Sequence, residues 1–304
     1  MSDHRFIELP DLLDSGDLIV VNETKVRAAR LIGKRAGTGG RVELLLLDRA
    51  ADGRWKALAR PARRLRPGVE IAFGRLTATV VGSAEDGVVT VRLDAEDEEE
   101  AIRRAGMVPL PPYFEGRLDD VARYQTIYAN TPGSAAAPTA GLHFTHEVME
   151  RLDERGIEVA RVDLHVSLDT FRPMSVERIE DHRMHSEWCS IPESTKQAID
   201  EARERVGKVV AVGTTVVRTL ESFADGRGGV EAGSQETSLF LRPGHQFQVV
   251  DGLVTNFHMP QSTLLVLLAA FMGRRWREAY AAALERGYRF LSFGDAMYVE
   301  QSAD

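Results

Sequence analysis

Arg41-Val-Glu-Leu-Leu-Leu-Leu47, Arg54-Trp-Lys-Ala-Leu-Ala-Arg60, Val69-Glu-Ile-Ala-Phe73, Leu76-Thr-Ala-Thr-Val-Val81 and Val88-Val-Thr-Val-Arg-Leu93 follow one another closely along the chain. Each is a short run rich in β-branched and apolar residues. Asp52-Gly53, Pro67-Gly68 and Asp86-Gly87 stand between them. Such dipeptides form tight turns, so the region reads as consecutive strands. Five closely spaced strands predict a small barrel. Glu96 to Ala105 predicts a short exposed helix leading out of it.

Upstream, Leu18-Ile-Val-Val21 predicts an apolar strand, and Asn22-Glu-Thr-Lys25 turns out of it. Downstream, the pattern changes after Pro109-Leu-Pro-Pro112. Thr145 is placed to cap a helix running to Arg155, with Gly156 as its stop. Ile157 to Val166 predicts a strand. Ser194 and Gln197 have capping-box spacing for a helix ending near Gly207. Val209 to Val212 predicts a buried strand, with Thr214 or Thr215 capping the helix after it. Leu239 to Leu241 and Phe247 to Val254 predict strands, and Thr263 to Met272 and Arg274 to Arg286 predict helices. This alternation points to an α/β domain.

The 304 residues suffice for about two domains and carry a net charge of −8. That charge argues against indiscriminate coating of nucleic acid. It is unevenly spread, however. Lys25 to Arg75 holds 14 Lys and Arg against 4 Asp and Glu, a balance of +10, and the acidic run Asp94 to Glu100 closes this region. One part is therefore expected to meet a polyanion while the rest does not. The one cysteine, Cys189, permits no internal disulfide. The N-terminus carries no apolar signal segment. The longest apolar run, Leu264 to Gly273, is too short to span a bilayer. A soluble, unexported protein is expected.

Several segments have the residues for chemistry. Pro132-Gly-Ser-Ala-Ala-Ala-Pro-Thr-Ala-Gly-Leu-His-Phe144 consists of small residues and turn formers ending in His143. It suits either a tightly packed crossing loop or close backbone approach to a ligand. His165 sits at the end of a predicted strand, where ligands of open α/β sheets bind; a core histidine fits equally. Glu180-Asp-His-Arg-Met-His-Ser-Glu187 packs two histidines and three carboxylates together. His182 and His185, with Glu187, suit metal ligation, proton transfer tuned by carboxylates, or a polar loop. Val209-Val-Ala-Val-Gly-Thr-Thr215 is strand, glycine and helix start, where free N–H groups bind anions. Arg218 and Glu221 follow along that helix, facing the same site or pairing with each other. Leu253-Val-Thr-Asn-Phe-His-Met-Pro260 alternates so as to place Asn256 and His258 on one strand face. Arg60, Arg63, Arg64 and Arg66 crowd one turn, as phosphate contacts or as a solvated face.

Taken in order, these segments resemble the S-adenosylmethionine:tRNA ribosyltransferase-isomerase family of queuosine biosynthesis. The stretches that carry the resemblance are Asn22-Glu-Thr-Lys-Val-Arg-Ala-Ala-Arg-Leu31, Pro109-Leu-Pro-Pro-Tyr113, Tyr124-Gln-Thr-Ile-Tyr128 and Ala137-Pro-Thr-Ala-Gly-Leu-His-Phe144. Leu164-His-Val166, Asp181-His-Arg-Met-His-Ser-Glu187, Val212-Gly-Thr-Thr215 with Arg218, Leu253-Val-Thr-Asn-Phe-His258, Tyr288-Arg-Phe290 and Gly294-Asp-Ala-Met297 complete it. Two features depart from the family pattern. The chain starts near the family's stretch around His4 to Leu9, without a preceding strand-bearing segment. Ser167 and Asp169 stand where glycines are usual.

The resemblance implies an α/β main domain, residues 1–29 and 110–304, with an inserted small β-barrel domain, residues 30–109. It implies that the ribosyl moiety of S-adenosylmethionine passes to 7-aminomethyl-7-deazaguanine at the tRNA wobble position. Epoxyqueuosine forms, and adenine and methionine leave. S-adenosylmethionine is then a consumed substrate, with no further cofactor and no metal. The partner is tRNA with a modified wobble base, and the enzyme is a cytoplasmic monomer without membrane contact. His143, His165, His182, His185 and His258 are the candidates for proton transfer, with Asp181 and Glu187 orienting them; His143 or His185 is favoured as base. Thr139, Gly141, Gly213, Thr214, Thr215, Arg218 and Asn256 are expected to bind substrate, and Arg60, Arg63, Arg64 and Arg66 to bind tRNA. The departures leave two alternatives: a tRNA-binding homologue with impaired or no catalysis, and a metal-dependent hydrolase built on His182 and His185.

Overall fold

The computed structural model of the chain describes residues 1–301 apart from 86, 112, 115–117, 119, 168, 169, 171 and 172. Asp169 therefore lies outside the described residues. In chain order the strands are β1 (Leu18–Asn22), β2 (Thr24–Val26), β3 (Arg30–Arg35), β4 (Arg41–Arg49), β5 (Trp55–Arg60), β6 (Glu70–Phe73), β7 (Leu76–Glu85), β8 (Val88–Asp94), β9 (Gly106–Met107), β10 (Thr131–Ser134), β11 (Glu158–Leu164), β12 (Glu187–Ile191), β13 (Val209–Val212), β14 (Gly233–Thr237), β15 (Gly252–Asn256) and β16 (Ala296–Glu300). The helices are α1 (Glu98–Ala105), α2 (His146–Glu154), α3 (Glu193–Glu204), α4 (Thr214–Ser222), α5 (Thr263–Met272) and α6 (Arg275–Glu285). Two compact units result, Val26–Gly116 and Met1–Lys25 with Arg117–Asp304.

The first unit is a closed barrel. β3 pairs antiparallel with both β4 and β6, and the ladder β4-β5-β8-β7-β6 completes the ring of six strands. Closure leaves no free sheet edge in the ring. Alternate residues turn inward: Trp55, Ala57 and Ala59 from β5, Ile71 and Phe73 from β6, Val89, Val91 and Leu93 from β8. The five strands read from the sequence are all present. The sixth, β3, is not apparent in Arg30-Leu-Ile-Gly-Lys-Arg35, where Leu31 alone is fully buried and charges flank a glycine. The acidic run belongs to this unit. Asp97 caps α1 by accepting from the Glu100 N–H, Glu98 accepts from Arg49 and from the Trp55 indole, and Glu99 pairs with Arg27.

The second unit is a seven-stranded mixed sheet ordered β14-β12-β11-β1-β13-β15-β16. Its middle strands, β11, β1, β13 and β15, are parallel, and antiparallel strands flank them. Strands covered on both faces must be apolar throughout, and every residue of β1, β13 and β15 is buried. One face carries Leu18, Val20, Val209, Ala211 and Leu253 into a core with Ile199, Leu220, Leu268 and Phe271 from the helices. The other face carries Ile19, Val21, Val210, Val212 and Val254 against Leu9, Phe144, Val148 and Leu152.

Several expectations need correction here. Leu239 to Leu241 forms no strand: the Leu239 N–H goes to the Thr237 hydroxyl and its carbonyl to Arg218. Only Gly252–Asn256 of the segment from Phe247 is strand, because the buried Glu221 carboxylate takes the N–H groups of Gln248, Val249 and Val250. Helix α3 has no capping box at Ser194; it starts at Glu193 after Pro192, with no side-chain cap. Helix α4 is preceded by Gly213 at φ +91°, a conformation open to glycine, and neither Thr214 nor Thr215 caps it. Thr145 does cap α2. Cys189 is buried, with its thiol pushed up to about 11 by burial, so it has no character of a nucleophile.

His258 is not on the same face as Asn256. The strand ends at Asn256, and His258 Nε2 bonds Thr255 Oγ1 at 2.9 Å while its N–H donates to the Tyr280 hydroxyl. Burial pushes its imidazole down to about 4. The folded chain thus keeps it neutral while the unfolded chain protonates it below pH about 6.5. Its contribution is present above that pH and is lost as pH falls towards 4. Between those limits the wild type is expected to lose about 3 kcal/mol more stability than a His258→Gln variant. Urea titrations at a series of pH values measure this, and equal slopes would remove His258 from the acid response.

Candidate active site

In open α/β sheets, ligands bind beyond the carboxyl ends of parallel strands, where connections leave in opposite directions. From β1 the chain runs to β11 on one side, and from β13 it runs to β15 on the other. The switch point therefore lies between β1 and β13. Asn22, the end of β1, fixes that edge: its amide donates to the Leu164 carbonyl and accepts from the Leu164 and Thr24 N–H groups.

On the α4 side of this edge lies a buried ion pair. Glu187, 3% exposed, and Arg218, 5% exposed, are in direct contact. Arg218 also donates to the carbonyls of Leu239 and Thr237. The Glu187 Oε1 accepts from the Ser167 N–H at 2.7 Å and the Thr170 hydroxyl at 3.0 Å, and His185 Nε2 lies 3.2 Å from it. Burial works to raise the Glu187 carboxyl; the His185 hydrogen bond, the charges of Arg218 and His185 and the Ser167 N–H outweigh it and hold the group below the usual carboxylate range. A histidine on a fixed carboxylate is oriented for proton transfer.

The remaining members of the polar run separate from this pair. No helix places His182 and His185 on a shared face; a short 3-10 turn, Ile179–Asp181, precedes an extended segment. His182 packs against the Phe240 ring at 5.2 Å, and burial lowers its basicity, with His185 adding to the effect. Asp181 is exposed. Arg218 and Glu221, left open above as a possible pair, part company: Glu221 faces His245 and the N–H groups of residues 248–250. The N-terminus of α4 faces a narrow cleft lined by Thr170, Met184, Thr214, Thr215 and Arg218. Among the described residues, Thr215 Oγ1 is buried there without a hydrogen-bond partner.

The opposite face of the sheet holds His143. The 3-10 turn Thr139–His143 packs over the ends of β13 and β15, with Gly213 close to Ala140. Buried Gly141 in this turn lies against the Tyr128 hydroxyl, with no room for a side chain. Asn256 joins the two ends of the turn: Thr139 Oγ1 donates to its Oδ1 at 3.1 Å, and its Nδ2 lies 3.0 Å from His143 Nε2. Asn256 thus holds a histidine. The His143 ring stacks on Phe6 at 5.1 Å and 25°. It lines a cavity of about 380 Å³ with Phe6, Arg286, Tyr288, Asp295 and Tyr298. Burial lowers its basicity; Asp295 opposes this and Arg289 adds to it.

His165 follows the end of β11, as the sequence indicated. Its ring packs at 4.6 Å against Trp188, tilted by 42°, and lies over Gly133, where an added Cβ would meet Nε2 at 2.2 Å. Two residues before it, Asp163 is raised to about 6 by burial and by Glu23. The sequence reading passed over Asp163, Phe6 and Thr170; only tertiary neighbours give them a role. In the barrel, Arg60, Arg63, Arg64 and Arg66 are exposed around one concave surface, and none forms an ion pair among the described residues.

A family profile described as Queuosine biosynthesis protein matches residues 1–299. A protein of Rubrobacter xylanophilus is 53% identical over 299 residues, which cover 98% of this chain and 86% of that one. One of Moorella thermoacetica is 50% identical over 303 residues, 98% of this chain and 89% of that one. Both are named S-adenosylmethionine:tRNA ribosyltransferase-isomerase. The crystal structure of S-adenosylmethionine tRNA ribosyltransferase from Thermotoga maritima matches at a TM-score of 0.51 and 36% identity, covering 96% of this chain and 85% of that one. The chain therefore belongs to the queuosine biosynthesis protein family, that of the S-adenosylmethionine:tRNA ribosyltransferase-isomerases.

Proposed function

We propose that this protein transfers and isomerises the ribosyl moiety of S-adenosylmethionine onto 7-aminomethyl-7-deazaguanine at the tRNA wobble position, releasing adenine and methionine and giving epoxyqueuosine. The observation that carries this reading is the pairing of His185 with the buried Glu187 carboxylate, at the sheet edge where such folds bind ligands. The chemistry asks for a group that removes the proton of the 5′ carbon, acidified by the neighbouring sulfonium. His185, oriented by Glu187 and Thr170, fits that role. It asks also for a group that meets the departing adenine, and His143 is the candidate. S-adenosylmethionine enters as a consumed substrate, and proton transfer alone calls for no resident cofactor.

The first N–H groups of α4 and the unpartnered Thr215 hydroxyl suit the methionine carboxylate. Arg218 is bound to Glu187 and positions it. The barrel is read as an insertion in the α/β domain, and its arginine turn as the tRNA contact. Arg63→Ala and Arg66→Ala should each weaken tRNA binding and lower the slope of log K against log salt by about 1. An unchanged slope would remove the turn from the tRNA site. The enzyme is placed in the cytoplasm, where its tRNA substrate is; no helix among the described residues is long and apolar enough to cross a membrane.

The decisive measurement is adenine release on incubation with S-adenosylmethionine and a tRNA anticodon stem carrying the aminomethyl base. Release at a rate comparable to the Moorella thermoacetica relative is expected. None, under conditions in which that relative is active, would overturn the reading in favour of a tRNA-binding protein.

A further inference from the structure

Two histidines at the carboxyl edge are held by partners of opposite character. His185 rests on a carboxylate, which accepts. His143 Nε2 faces the Nδ2 of Asn256, 3.0 Å away. An amide nitrogen has hydrogens and no available lone pair, so it can only donate. The ring nitrogen opposite it must accept, and the neutral ring then carries its hydrogen on Nδ1. The Thr139 hydroxyl meets the other end of the same amide and donates to Oδ1. Asn256 is 2% exposed, so water does not compete for the amide.

We propose that Asn256 is a positioning residue that fixes His143 as the neutral Nδ1–H tautomer, so that His143 serves as a hydrogen-bond donor and not as the base. This rests on the function proposed above. The Nε2 lone pair is engaged by Asn256, and Nδ1 has no lone pair to offer. Nδ1 makes no hydrogen bond among the described residues, and the ring lines the 380 Å³ cavity. The ring stacks on Phe6, which holds its plane while leaving its edge for a ligand. Protonating Nε2 would set its hydrogen against those of the amide, so the ring stays neutral. A neutral imidazole donates a hydrogen bond without giving up its proton, so the base leaves as its anion and takes its proton from water. The ring's partner on the substrate is an electron-rich ring nitrogen that gains negative charge as its bond to the sugar breaks, which describes the departing adenine. The division of labour follows: His143 stabilises the leaving base, and His185 takes the proton.

The test has two arms. In the first, ¹⁵N shifts of the His143 ring are recorded in the resting protein at pH 8, assigned through a His143→Gln variant. Nδ1 protonated and Nε2 bare is the expected result; the reverse tautomer overturns the proposal. Thr139→Val should leave the amide free to turn and give a mixture. In the second arm, Asn256→Asp replaces the donor with a carboxylate, which accepts from Nε2–H and leaves Nδ1 bare. Its kcat for adenine release should fall about 10²-fold, the cost of losing one such donor, while the KM for S-adenosylmethionine changes less than 3-fold. An unchanged kcat in a variant whose tautomer has switched overturns the donor role. The first arm uses no substrate. If the wild type shows the Nδ1–H tautomer yet releases no adenine, the proposed reaction fails and the positioning by Asn256 stands.

Discussion

Replacing Glu187 with alanine is expected to destabilise the protein by about 3–5 kcal/mol, because the Arg218 guanidinium would be left buried without its counter-charge. Arg218 is 5% exposed and cannot turn to water without disrupting α4, whose residues Thr214 to Glu221 are all buried. The two carbonyls it also contacts carry no full charge. Urea unfolding of Glu187→Ala at pH 7 measures the loss, and the double variant Glu187→Ala/Arg218→Met should regain a large part of it. A loss below about 1 kcal/mol would show the pair to be dispensable. The pH response has a definite sign. The folded Glu187 carboxyl is held below its ordinary value, so its contribution is present above the unfolded pKa and is lost as pH falls through the folded one. His258 acts in the same direction but from pH 6.5 downward, so two successive losses are expected on acidification.

His185→Ala is expected to lower kcat for adenine release by about 10²–10⁴-fold, the usual contribution of a positioned base. His185 is only part-buried and its loss leaves the Glu187–Arg218 pair intact, so stability should change far less than for Glu187→Ala. Exogenous imidazole should restore part of the activity of His185→Ala, and should do nothing for Glu187→Ala. Full activity of His185→Ala would transfer the base to another residue. No gain from imidazole would leave His185 a structural part of the Glu187 cluster.

The parts of this molecule that were legible in the sequence are those whose environment is the same on both sides. Val209–Val212 is enclosed on both sides and Thr263–Met272 is buried over more than half of its residues, and a buried surface must be apolar whatever covers it. The barrel strands read clearly for a different reason, the turn dipeptides between them and the alternation of inward and outward residues. The missed elements depend on distant partners. Gly233–Thr237 is mostly exposed and is a strand only because β12 lies alongside it. Residues 247–251 have strand-like composition, yet Glu221, far back in α4, takes their N–H groups. The site divides along the same line. Its histidines stood out by residue type, but whether each would accept or donate depended on the group opposite. Asn256 and His258 were assigned one face by alternation, and alternation stopped when the strand did. Glu187 looked like one charge in a polar run; its burial followed from Arg218, which the sequence could place on a helix but not against a partner.

The position of β1 has a consequence for how the chain comes to be folded at all. Strand β1 sits in the middle of the large sheet, with Leu18 opposite Glu158 on one side and Val209 on the other. During synthesis it emerges long before either neighbour, and the barrel, whose strand pairings all lie between Arg30 and Met107, can form entirely in between. Leu18 to Val21 must then wait as an unpaired apolar ribbon with both edges and both faces uncovered, the condition in which chains self-associate. Folding of the large sheet is therefore expected to be slow, since loop closure over the whole barrel precedes any stabilising contact. Pulse-labelled hydrogen exchange should show the barrel amides protected first and those of Ile19 and Val20 among the last.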